Sequence, residues 1–83
     1  MEYKKLYSQE EIDELIAWFE AHKEDLPKSL DVDKATHMAD FRSTVKNYMD
    51  IARLHRENAT YSGQIYFLFQ MRDAVKAACR IND

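Results

Sequence analysis

Asp31 and Asp33 open a D-x-D pattern, the spacing at which a calcium loop places its first two carboxylates. Such a loop next needs an oxygen ligand, a glycine and a distal glutamate. Ala35, Thr36 and Arg42 stand there instead, so the pattern reads as turn-forming aspartates. The histidines His22, His37 and His55 are far apart, and no two share an i, i+4 spacing. His37 and Asp40 would meet on one helical turn, but two ligands do not make a transition-metal site. His55 falls on an apolar helix face and reads as a hydrogen-bonded histidine near a helix end. Cys79 with His55 is the one nucleophile–base pair that can be constructed, and nothing orients it. The single glycine, Gly63, cannot build a phosphate-cradling loop. The residues therefore assign no catalytic group, no metal and no cofactor, and the expectation is that the chain is not an enzyme.

A chain of 83 residues makes one domain, 1–83, with 1–7 as an N-terminal arm. A domain of this size buries a modest core. The single cysteine forms no intrachain disulfide, which suits a reducing cytoplasm, and its place beside a core stripe suits a small hydrophobe. Met1 to Gln9 is polar, with no apolar leader core, and no stretch approaches the ~20 apolar residues that span a bilayer. A soluble cytoplasmic protein is expected. The net charge is −3, unevenly spread. Residues 1–41 hold five Lys against eleven Asp or Glu, and residues 42–83 hold seven Lys or Arg against four.

The elements follow from caps and periodicity. Ser8-Gln9-Glu10-Glu11 is a capping box, and Tyr7 with Ile12 occupies the positions of a hydrophobic staple. A helix is predicted over 9–24, burying Ile12, Leu15, Ile16 and Phe19 with Trp18 at the edge. It ends because Leu26 precedes Pro27 and is biased toward extended backbone. Residues 25–36 form a long irregular connection in which Leu30 and Val32 alternate with aspartates, so a short extended piece fits. A second helix, capped at Thr36 or Asp40, covers 38–57 and buries Phe41, Val45, Tyr48 and Ala52, flanked by Met38, Ile51 and Thr44. Asn58 to Tyr61 makes a tight connection to a third helix over 62–80. There Leu68, Met71, Val75 and Ala78 share a face. The prediction is an all-α three-helix bundle whose helices 2 and 3 form an antiparallel hairpin. Its expected core is Leu15, Phe19, Phe41, Val45, Tyr48, Leu68, Met71 and Val75.

Two surfaces stand out as candidates for partners. Tyr66 and Phe69 fall among Asp73, Lys76 and Arg80, on the side of the third helix away from its core stripe. Contiguous exposed rings of this kind mark contacts, and with Trp18 they are the expected interface of a twofold homodimer. Cover from the same chain is the alternative, through Tyr3, Leu6 and Tyr7 of the arm or Leu26 and Leu30 of the connection. The second surface is basic: Arg42, Lys46, Arg53 and Arg56 lie on or beside one face of the second helix. Asp50 and Glu57 interrupt it and the pI is about 5.6, so a solvated face is favoured over a phosphate-binding one. A DNA-associated accessory protein is the alternative function to a protein–protein interaction module.

The stretch LPKSLDVDKATHMADFRSTVKNYM, followed by RENATY, resembles an uncharacterised family of small domains from Bacteroides-type bacteria. The resemblance rests on Leu26-Pro27, Leu30 and Val32, Asp40-Phe41, and Asn58 with Thr60 and Tyr61, and it spans roughly Ile12 to Val75. It implies a bacterial cytoplasmic protein and brings no catalytic or binding residues with it.

Overall fold

The computed structural model describes residues 6–32, 37–55 and 61–81, the side chain of His55 excepted. The first helix starts where its cap dictates. Glu11 N donates to Ser8 Oγ and Ser8 N donates to Glu11 Oε1, each at 3.1 Å, so the box closes reciprocally and α1 runs Gln9–His22. A single 3-10 turn, Lys23–Asp25, ends it, and Leu26 before Pro27 takes extended backbone (φ −68°, ψ 130°).

The connection is more ordered than its composition suggests. β1 (Leu30–Asp31) pairs antiparallel with β2 (His37–Met38), in the register Leu30 with Met38 and Asp31 with His37. The extended piece expected at Leu30 thus exists, but its partner comes from the segment assigned to the start of the second helix. α2, Phe41–His55, accordingly starts later than the predicted residue 38. Asp40 immediately precedes it, and its carbonyl accepts from Thr44 N and Thr44 Oγ1. Met38 therefore belongs to a strand rather than to a helix flank. The His37 partner is Asp31, with Nδ1 2.6 Å from Asp31 Oδ1. The position of Thr36, the second candidate cap, lies outside the described residues, as do Asp33, Arg56 and the Asn58 to Thr60 turn.

α3 runs Ser62–Cys79 and closes on Arg80 in the left-handed conformation (φ 56°, ψ 45°), which lets the Ile81 N–H donate to Lys76 O at 3.0 Å. α2 and α3 form the most closely packed pair, and α1 lies against both. The fold is the all-α three-helix arrangement the periodicity implies, with a two-residue-stranded hairpin set into its long connection.

Seven of the eight expected core residues are buried. Tyr48 is the exception: it is half-buried, its ring 5.5 Å from that of Phe67, and Met49 takes the buried position. The cause is that α2 is covered on two sides, so its buried arc extends toward α1 through Phe41, Val45 and Met49. On α3 the buried set is Ile65, Leu68, Phe69, Met71 and Val75 with Ser62. Ala78 and Cys79, expected on or beside the core stripe, are exposed in the last turn of α3, where Cys79 Sγ lies 3.9 Å from the Asp25 carbonyl oxygen.

Candidate functional site

Arg42, Lys46, Met49 and Arg53 are spaced by three or four residues and so form one line along α2. That line faces the C-terminal half of α1, and between the two helices lies an open groove of about 330 Å³. Phe19, Leu26, Val45 and Met49 make its floor, each buried in the core, so the groove is a shallow opening onto the hydrophobic interior. Its rim is charged: Lys23, Arg42, Lys46 and Arg53 against Glu20 and Asp50. A volume of this size sits at the small end of ligand-pocket volumes and accommodates a single aliphatic side chain with room to spare.

The rim is divided. At one end the Arg53 guanidinium holds Glu20 of α1 and Asp50 of its own helix, the latter at 3.3 Å, so three charges settle each other across the groove. At the other end Arg42 Nε donates to the Leu26 carbonyl at 2.7 Å, which ties the chain after the 3-10 turn to the first turn of α2. Lys23 and Lys46 are exposed and make no ion pair among the described residues. The Lys23–Arg42–Lys46 end is therefore the electropositive one.

The three rings expected at an interface are each engaged by their own chain. Phe69 is 8% exposed. Tyr7 stacks on one side of it, with centroids 5.1 Å apart and planes at 26°, and Arg72 places its guanidinium carbon 5.2 Å from the ring centroid. This is cover by the arm, and it corrects the placing of Phe69 on an open polar face. Tyr66 is half-buried and its hydroxyl accepts from Gln70 Nε2 at 3.4 Å. Trp18 is half-buried, edge-on to Phe19 at 5.1 Å and tilted against His22 at 4.5 Å. The large apolar side chains that do stand open among the described residues are Leu6 (60% exposed) and Leu54 (77%).

Of the basic residues singled out in the sequence, Arg42, Lys46 and Arg53 are brought together on the groove, and Arg56 lies outside the described residues. The sequence reading missed Glu20, Lys23 and the four floor residues as a unit. Each is unremarkable within its own helix, and only the α1–α2 packing makes them neighbours. Among the described residues no group of three or more His, Cys, Asp or Glu side chains converges in a way that would hold a metal ion, and no helix is long and apolar enough to cross a membrane.

A family model, described as a domain of unknown function (DUF6965), matches residues 10–77. The chain belongs to the DUF6965 family. The match begins at Glu10 in the first turn of α1 and ends in the last turn of α3, so it takes in all three helices and the hairpin between the first two. No curated protein and no solved structure matches the chain.

Proposed function

We propose that this DUF6965 chain is a non-catalytic, self-associating protein–protein interaction module of the bacterial cytoplasm, and that the α1–α2 groove is its contact site. The observation that carries the reading is the groove itself. It combines an apolar floor, where burial of a partner's side chain is favourable, with a rim of exposed cations that selects an acidic neighbour. A chain of 83 residues also gains from covering such an opening with a second subunit. The single free cysteine, Cys79, fits a reducing compartment. Light scattering at ~100 μM protein, where even micromolar affinities saturate, tests it. The expected result is a mass about twice the 9.9 kDa of one chain, and a monomer mass would overturn the reading.

A DNA-associated role is the second reading, because Arg42, Lys46 and Arg53 share one line with Lys23 beside them. Glu20 and Asp50 already neutralise Arg53, which lowers the positive charge that this face offers to phosphates. A gel shift with duplex DNA at ~150 mM salt, close to physiological ionic strength, separates the two readings. Salt-sensitive binding that is lost in Lys46→Glu favours DNA.

A further inference from the structure

We infer that the occupant of the groove is the N-terminal end of α1 from a second copy of this chain, in a closed twofold pair. The inference rests on the self-association reading above and names its contact. Leu6 supplies the apolar side chain for the floor: it stands 60% exposed immediately before the helix, and the groove has room for one aliphatic side chain. Glu10 and Glu14 follow, both exposed and four residues apart, so that they share a side of α1. They supply the charge for which Lys23, Arg42 and Lys46 have no ion pair among the described residues.

Position along the helix makes the pairing reciprocal. The acidic end and the groove lie at opposite ends of the same helix, with Glu10 in the first turn of α1 and Lys23 just past its last residue. Two copies set with their first helices running oppositely bring each acidic end to the other copy's groove, and both contacts form at once. A twofold axis closes the assembly at two chains, which is the commonest outcome for homo-oligomers. The same charges disfavour a parallel arrangement, which would set acidic end against acidic end.

Charge reversal tests the inference. Lys23→Glu/Lys46→Glu alters two exposed side chains that make no ion pair among the described residues, and Glu10→Lys/Glu14→Lys alters two on the facing end; circular dichroism checks that each variant keeps its helices. Each variant alone is expected to show at least a tenfold weaker dimer by light scattering. An equimolar mixture of the two is expected to recover the dimer, because both contacts of the mixed pair are again opposite in sign. Leu6→Asp is expected to weaken the wild-type dimer, and raising salt to ~1 M, where the Debye length is about 3 Å, to dissociate it. A wild-type monomer at ~100 μM overturns the self-association reading and this inference with it. A wild-type dimer that is indifferent to both reversals, to Leu6→Asp and to salt overturns this inference alone.

Discussion

Tyr7 lies stacked on Phe69, a residue 62 positions further along the chain, with ring centroids 5.1 Å apart. The contact joins the arm before α1 to the middle of α3. Tyr7 precedes the Ser8 cap, so its ring position is set by the same backbone that closes the capping box. A local cap and a long-range ring contact thus hold each other in place.

The first prediction concerns that pair. Phe69→Ala removes a buried ring and is expected to cost about 3–4 kcal/mol of unfolding free energy, in the range of core aromatic truncations. Tyr7→Ala is expected to cost less. A double-mutant cycle by urea denaturation should return a coupling of about 0.5–1.5 kcal/mol, the range for stacked aromatic pairs. Additive effects would show that the two rings do not support each other.

Arg42 is expected to act on stability more than on the charge of its face. Its Nε closes the turn after α1 onto α2 through the Leu26 carbonyl. Arg42→Ala leaves that carbonyl without its charged donor, and about 1.5 kcal/mol should be lost, measured as a fall in the urea midpoint at constant slope. Lys46→Ala, a few residues along the same line, should change the midpoint by no more than the ~0.5 kcal/mol typical of surface sites.

Neighbouring positions on α2 should separate sharply. Met49 is buried under α1, Tyr48 is half-buried against Phe67, and Leu54 is open. Met49→Ala is expected to cost about 2–3 kcal/mol, Tyr48→Ala about half as much, and Leu54→Ser less than ~0.5 kcal/mol. Thermal melts of the three variants give the ranking. Equal losses at Tyr48 and Met49 would mean that α2 is not covered by α1 on its Met49 side.

The sequence alone determined what depends on near neighbours. The Ser8–Glu11 box set the start of α1, Leu26-Pro27 set its end, and 3.6-residue periodicity found Leu15, Phe19, Phe41, Val45, Leu68, Met71 and Val75 as core. These are interactions within a few residues, so the pattern carries them. Tertiary structure decided the rest. A helical wheel ranks the faces of one helix but does not say how many neighbours will cover it. Phe69 is buried because an arm reaches it and Met49 because α1 adds a second cover to α2, while Cys79 stays exposed, its Sγ 3.9 Å from the Asp25 carbonyl oxygen. The strand at His37–Met38 exists because Leu30–Asp31 pairs with it, which no local preference at His37 requires. The groove is of the same kind: its floor and rim come from residues 19–26 and 42–53, and only the packing of two helices puts Lys23 beside Lys46.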